Sequence, residues 1–537
     1  MRIFSFSPFG YEGALVSVEV DLRRGIPSVD LVGLADGAVR ESRERMRSAI
    51  CNAGFDFPQE RVLISLSPAD LKKEGAGFDL AIALAVLQAK KQKDKRPKCF
   101  LAQSDADYGG YVDYGNYGDY GGEKSILVMG ELELCGNVRP VRGIHAAAET
   151  AASAGIRYCI VPAVNSSEAQ EVCGMRVFSA ATLKEAFFAL EDTSAFKESS
   201  DSAGGEILFE DDFVEIGGIT FSKVTAGFEF SDVAGQPFLI RGLQIAAAGF
   251  HNLLVFGPPG CGKSMALQKF PALLPLLTVE ESRPVTRIYS LAGILPVEKS
   301  RMRVPPFRMP HQTASIEGLC GGGPACKPGE ISLAHNGVLF LDEAPEFKTS
   351  VLQMLRVPLE SGYVTLSRAG RSSVYPASFQ LLMAANPCPC GNFGSKNKIC
   401  LCSTHSIELY WKRFSGPLLD RIDMRIRTDT PSTAEKFSTE ELRKGVAMAV
   451  KIQRKRQGKR NARLNSDEIS TFCRLSADAE NFLDAASKRY GFSPRASASC
   501  LKLSRTVADL EGSEDIKTEH IKEAVEYRKN SGGIDFV

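Results

Sequence analysis

The sequence predicts an α/β protein in three parts: mixed strands and helices over residues 1–196, alternating apolar strands and helices over 228–431, and helices alone over 432–537. Three observations predict it. Alternating and then helical periodicity fills the first part, a glycine-rich loop between an apolar run and a helix-compatible run opens the second, and only helical periodicity follows residue 439.

The 537 residues leave room for roughly three to four domains of about 150 residues each. A composition of 44% hydrophobic and 24% charged residues with a formal charge of +1 is that of an ordinary soluble globular chain. No global positive field exists, so nucleic-acid contact would have to come from local basic patches. The first thirteen residues lack a basic region and a continuous apolar run, and no stretch of about 18 apolar residues follows. A cytoplasmic protein without membrane contact is therefore expected. Fourteen cysteines are a small fraction of the chain, and two tight Cys-x-Cys pairs fit a metal better than disulfides.

In the first part, strands are expected at 14–20, 26–32, 61–66, 127–134 and 157–161, with helices at 38–53, 78–88 and 144–154. A low-complexity insertion interrupts it at 90–122: the basic run 90–98, then repeated Tyr, Gly and Asp with almost nothing to bury. It is either a surface insertion that leaves the fold unchanged or a binding tail. Polar residues around 197–206 indicate a linker within 197–227. In the third part, helices are expected at 439–457, 466–490, 493–510 and 518–529, with Ser466 capping the second, Pro494 opening the third and Gly512 past its end.

The apolar run 253–256 leads into Gly257, Pro258, Pro259, Gly260, Cys261, Gly262, Lys263 and Ser264, and then into a helix-compatible stretch. Strand, glycine-rich loop and helix is the context in which backbone N–H groups turn inward around ATP phosphates. Lys263 is expected to reach the β- and γ-phosphates and Ser264 to ligate Mg²⁺. A second apolar strand at 338–341 delivers Asp342 to the magnesium shell and Glu343 to the attacking water as general base. A third, at 379–385, ends at Asn386, placed to hydrogen-bond that water or the γ-phosphate.

Beyond these motifs, residues 7–13, 32–36, 39–42, 235–236, 251–252, 328–335, 386–391 and 415–423 carry a close resemblance along essentially the whole chain. The sequence resembles the bacterial magnesium-chelatase-related AAA+ ATPases, the ComM/YifB-like competence proteins. The resemblance implies an AAA+ P-loop NTPase core and a C-terminal helical lid. It also implies an N-terminal α+β ChlI domain similar to ribosomal protein S5 domain 2. It further implies a homohexameric ring that moves on single-stranded or branched DNA, as a branch-migration helicase or translocase in recombination or natural transformation. Arg421 matches the arginine finger that reaches into the next subunit's site, with Arg413 as competitor, and Arg495 matches the sensor arginine of the lid. The N-terminal domain is similar to the Lon protease domain, but Gly77 stands where its serine would be and His145 where its lysine would be. Without a nucleophile no acyl intermediate forms, so a non-proteolytic domain is expected. Ser65 and Ser67 read as residues of an alternating strand.

Cys388, Cys390, Cys400 and Cys402 supply four thiolates for a closed, structural tetrahedral Zn²⁺, or else are four reduced thiols in a Gly/Asn-rich loop. A metal clip there would brace the loop leading to Trp411, Arg413 and Arg421. For DNA, the stretch 364–374 reads as a hairpin with Arg368 and Arg371 near its tip, suited to sequence-independent phosphate contacts. The run 451–463 holds seven basic residues in thirteen and reads as a second DNA surface or a solvated helix face. The competing function is a remodelling ATPase acting on a protein partner, related to the magnesium-chelatase motor subunits.

Overall fold

The computed structural model describes residues 1–529 except 96–124, 199–211, 297–300, 324–325, 369–370, 394–397, 429–435 and single positions 35, 70, 72, 74, 226 and 234. In the first part, alternating residues of Ala14–Arg23 and Arg61–Ser67 bury one face each and pair antiparallel, with Arg2–Ser7 on the other side of Ala14–Arg23. These strands belong to an eight-stranded mixed sheet ordered 197–198, 176–180, 158–162, 125–128, 2–7, 14–23, 61–67, 29–32. Helices Gly37–Asn52 and Asp79–Lys95 pack into one core with Val16, Ile64 and Leu66, and Ile144–Ser153 packs into another with Phe4, Phe6 and Leu127. Val62, Ile64 and Leu66 point inward, which turns Ser65 and Ser67 outward as the alternation requires.

Local differences from the sequence reading have physical causes. Asp79–Lys95 runs past the expected end at 88, because Lys90 reaches the Asp56 carbonyl, Lys91 lies over the Phe187 ring and Lys93 pairs with Glu60. Residues 90–95 are thus helix and the remainder of the expected insertion lies outside the described residues. The expected strand 127–134 is two strands, Ser125–Val128 and Glu131–Leu132. Gly130 breaks it, where any Cβ would sit 2.8 Å from Val138 Cγ1. Of the expected linker, Lys197–Glu198 extends the sheet, and Phe213–Ile216 and Ile219–Ser222 form a hairpin whose Ile219 and Phe221 enter the core of the second part.

That second part is a five-stranded parallel sheet ordered Phe307–Arg308, Val338–Leu341, Gln380–Ala385, Leu253–Phe256, Met424–Arg427. The strands Val338–Leu341, Gln380–Ala385 and Leu253–Phe256 are buried throughout, as strands covered on both faces must be. From Leu253–Phe256 the chain crosses to the edge strand Phe307–Arg308, returns through Val338–Leu341 and Gln380–Ala385, and then passes to Met424–Arg427 on the other side; the crevice at the carboxyl ends beside Leu253–Phe256 is where a parallel sheet binds ligands.

The last part packs directly on this unit: Leu442, Val446, Leu503, Val507 and Tyr527 share a core with Leu239, Leu243 and Ile426. The helix expected at 466–490 is two, Ser466–Phe472 and Ala477–Tyr490. Asn465, not Ser466, caps the first through a reciprocal box with Glu468, and Ser476 caps the second. Arginines of the basic run turn inward, while Lys451 and Lys455 stay exposed. Arg456 pairs with Asp509 at 2.6 Å, Arg460 donates to the Ala248 carbonyl, and Arg463 donates to Asn336 and covers the Phe250 ring.

The first part is fastened to the second through helix Val279–Ala292. Arg287 donates to the Tyr11 and Glu12 carbonyls, pairs with Glu149 at 2.6 Å and lies over the Tyr11 ring. Ser290 donates to Glu168, whose same oxygen accepts the His145 backbone N–H. A further tie joins Tyr11 N to Ser373 Oγ at 2.9 Å.

Candidate nucleotide site

A cleft of about 330 Å³ opens at the C-terminal ends of three neighbouring strands, lined by the phosphate loop, Asp342, Glu343 and Asn386. Gly260 and Gly262 take φ of +81° and +83°, a left-handed backbone that lets the loop curl with its N–H groups inward. Gly262 then caps helix Lys263–Gln268. Lys263 Nζ donates to the Gly257 carbonyl at 2.7 Å and the Pro258 carbonyl at 2.9 Å, and approaches Asn386 Oδ1 at 3.3 Å. Burial pushes its pKa down, and phosphate charge would reverse that. Ser264 Oγ donates to Asp342 Oδ1 at 2.9 Å, and the same oxygen accepts the Glu343 N–H at 3.0 Å. Glu343 sits at φ +49°, a strained conformation for a side chain of its size, and its carboxylate lines the cleft. Because Gln380–Ala385 lies between the other two strands, Asn386 stands between Lys263 and the acidic pair.

The residues that sequence reasoning carried by resemblance lie off this cleft. Arg421, from the turn after Gly416–Leu419, is buried: Nη1 donates to the Pro417 carbonyl at 2.6 Å and Nη2 to Glu360. Arg495, at the start of helix Pro494–Leu510, donates to the other oxygen of Glu360 at 2.9 Å. The neighbouring carboxylates are engaged elsewhere, Asp420 by Ser493 and Asp423 by Ser499 and the Asn252 N–H. Arg413 donates to the Pro345 carbonyl at 2.5 Å, in the turn that follows Glu343. Two residues do more than the sequence revealed. Asn252 accepts from Leu381 N and donates to the Arg421 carbonyl, joining the phosphate, asparagine and Arg421 segments. Glu360, an exposed helical glutamate, carried no sequence signal at all.

The family follows from comparison with known proteins. Models for subunit ChlI of magnesium chelatase match residues 18–104, 229–436 and, for its C-terminal part, 436–528. The uncharacterized protein YifB of Salmonella typhimurium is 38% identical over 529 residues, covering 97% of this chain and 95% of that protein. The competence protein ComM of Haemophilus influenzae is 38% identical over 535 residues, covering 98% and 97%. The chain belongs to the ComM/YifB family of AAA+ ATPases. A more distant relative, the magnesium-chelatase 38 kDa subunit of Rhodobacter capsulatus, is 30% identical over 182 residues, 31% of this chain and 52% of that one.

In this ComM/YifB-family member, Cys388, Cys390, Cys400 and Cys402 bring their sulfurs within 4.8 Å of one another. Separations of 3.4 to 3.6 Å among Cys388, Cys390 and Cys400, with Cys402 within 4.8 Å, are close to the roughly 3.8 Å expected between thiolates about 2.3 Å from a shared ion. The Phe393 N–H points to Cys388 Sγ at 3.3 Å. Cys320 and Cys326 are buried; Cys320 meets Met354, and neither joins a metal cluster among the described residues. Gly391, at φ +78°, packs so closely on the phosphate loop that a Cβ would lie 2.9 Å from Pro259 Cδ. Trp411 Nε1 donates to the Pro387 carbonyl at 3.1 Å and its ring stands edge-on to Phe256. The cysteine loop thus touches the phosphate loop, the asparagine strand and the segment leading to Arg413.

The expected hairpin is Tyr363–Arg368 paired with Arg371–Pro376, with Arg368 opposite Arg371 at the end of the ladder. No helix among the described residues is long and apolar enough to cross a membrane.

Proposed function

We propose that this ATPase is a ring motor acting on single-stranded or branched DNA, a branch-migration helicase or translocase serving recombination or natural transformation. One observation carries the reading: the arginine-tipped hairpin ends at Pro376, and the strand Gln380–Ala385 that follows it ends at Asn386 in the nucleotide cleft. A change at the γ-phosphate felt by Asn386 is passed along a buried strand to Arg368 and Arg371. The printed name of the Haemophilus relative, a competence protein, supports DNA as the polymer.

In this reading Lys263 turns from the loop carbonyls to the phosphates, and Ser264 and Asp342, already sharing a hydrogen bond, hold magnesium. The bound ion supplies charge neutralisation at the phosphate oxygens. Glu343 accepts the proton of the attacking water, and Asn386 orients that water. Arg421 serves the neighbouring subunit's site, where charge builds on the transferring phosphoryl group, and Arg495 acts from a helical lid. The cysteine quartet holds structural zinc, and the N-terminal sheet is a non-proteolytic S5 domain 2-like module.

The test is ATP hydrolysis by the purified protein with and without forked DNA, beside Glu343→Gln. Stimulation by DNA that is lost in an Arg368→Ala/Arg371→Ala pair, and that falls steeply with salt, is expected. Hydrolysis indifferent to every DNA would leave the motor but reject DNA. The second reading, a remodelling ATPase with a protein partner, rests on the likeness to the magnesium-chelatase subunit and predicts that indifference.

A further inference from the structure

Outside the cleft, a single carboxylate holds two arginines from different parts of the chain. Glu360, on helix Arg356–Ser361, gives Oε2 to Arg421 and Oε1 to Arg495. In this pose Arg421 is committed to its own chain: both Nη atoms are engaged, Nε is buried without an acceptor among the described residues, and the side chain is 6% exposed. An arginine so placed does not reach a phosphate held by another subunit. Glu360 is 55% exposed, and Arg495 is 40% exposed with this one ion pair. Resting on the reading of Arg421 and Arg495 as ring arginines, we propose that Glu360 is a latch that stows both in a subunit without a nucleotide-loaded neighbour and yields them to phosphate on ring closure.

The exchange is chemically even-handed. A phosphate offers the guanidinium the same forked acceptor geometry as a carboxylate, with more negative charge. The latch is also weak enough to open, since ion pairs at an exposed carboxylate contribute little and are screened by salt. The buried Arg421 Nε without an acceptor marks the stowed pose as incompletely satisfied. Hydrogen bonds from Arg421 and then Arg495, reinforced by the charge of both, hold the Glu360 carboxyl below its usual range, so the latch is ionised at neutral pH. Because Arg421 belongs to the nucleotide unit and Arg495 to the C-terminal helices, one release frees both.

The experiment is ATPase activity of the full chain as a function of protein concentration for the wild type, E360Q, E360D and R421A. E360Q is expected to reach half-maximal specific activity at a concentration about two- to fivefold lower, the range such a pair commands, with the saturating rate unchanged. E360D keeps the charge and is expected to stay at or near the wild type. A fall in the saturating rate of E360Q would mean that Glu360 positions Arg421 for catalysis, and an unmoved midpoint would mean that it does nothing; either overturns the latch. Sedimentation with ATP on the Glu343→Gln background reads the same assembly midpoint without turnover, and melting curves confirm that E360Q is folded. If R421A retains the full saturating rate, the reading of Arg421 fails and takes the latch with it. If R421A is inactive while E360Q is unshifted, the latch alone fails.

Discussion

Lys263, Ser264, Asp342, Glu343 and Asn386 meet in one cleft, and each was legible in sequence because its chemistry demands a fixed place in a strand–loop pattern. Replacing Glu343 by Gln removes the base while keeping its shape. The turnover rate is expected to drop by about 10²- to 10⁴-fold with nucleotide binding retained, measured by steady-state hydrolysis beside a fluorescent-nucleotide titration. Glu360 and Asn252 were not legible in this way. An exposed glutamate or a pre-strand asparagine has no distinguishing spacing, and their importance arises only from which side chains the fold delivers to them.

A residue-scale titration follows from His335. Burial, joined by the charge of Arg463, holds its pKa at about 3, and Nδ1 accepts the Ser378 N–H, so it is neutral in the folded protein. The unfolded chain takes up a proton below its ordinary value near 6.5, so this contribution is complete above that pH and is lost as pH falls toward 3. The slope reaches about 1.4 kcal/mol per pH unit at most. In His335→Asn, whose amide oxygen can keep the Ser378 bond, the melting temperature is expected to fall less steeply than in the wild type between about pH 6 and pH 4. An identical slope would remove His335 from the account.

At the scale of elements, the parallel strands were readable because full burial leaves continuous apolar runs, whereas the small N-terminal strands and helix breaks were not. The break after Ser466–Phe472 needs only a second cap at Ser476, a residue that sequence periodicity passes over. The cysteine loop yields the element-scale prediction. Replacing Cys388 and Cys400 by Ser is expected to abolish bound zinc, read by metal analysis, and to weaken nucleotide affinity through Gly391 and Pro259. Gly391→Ala isolates that second effect: the left-handed backbone alone costs about 1–2 kcal/mol, and the added methyl presses on Pro259. Nucleotide affinity should fall while zinc content stays the same. Equal affinity in both proteins would show that the two loops merely lie side by side.

At the scale of the whole molecule, Arg287 is the bolt between the first and second parts, with two carbonyls, one carboxylate and one aromatic face. Its side chain is 12% exposed, so truncation leaves the Tyr11 carbonyl without its donor, while Glu149, 38% exposed, returns to water. Arg287→Ala is expected to lower the stability of the joint by about 1–3 kcal/mol, seen as an earlier, separate first transition in calorimetry. A single unshifted transition would contradict this. Such a joint has no sequence signature, since an arginine in a helix reads equally well as solvated. The three-part division itself was an expectation from periodicity, and the shared core of Leu442, Val507 and Tyr527 with Leu239 and Ile426 ties the last part more closely to the second than a composition shift could reveal.

The bond from Tyr11 to Ser373, with Tyr11 also edge-on to Tyr375, ties the second strand of the arginine hairpin, at mid-length, to the loop after the first strand of the N-terminal sheet. The hairpin is therefore geared to a heavy wheel. In the proposed motor a stroke of the hairpin would pull on this tie, and a probe on the N-terminal sheet read against one at the tip would show whether the two move together.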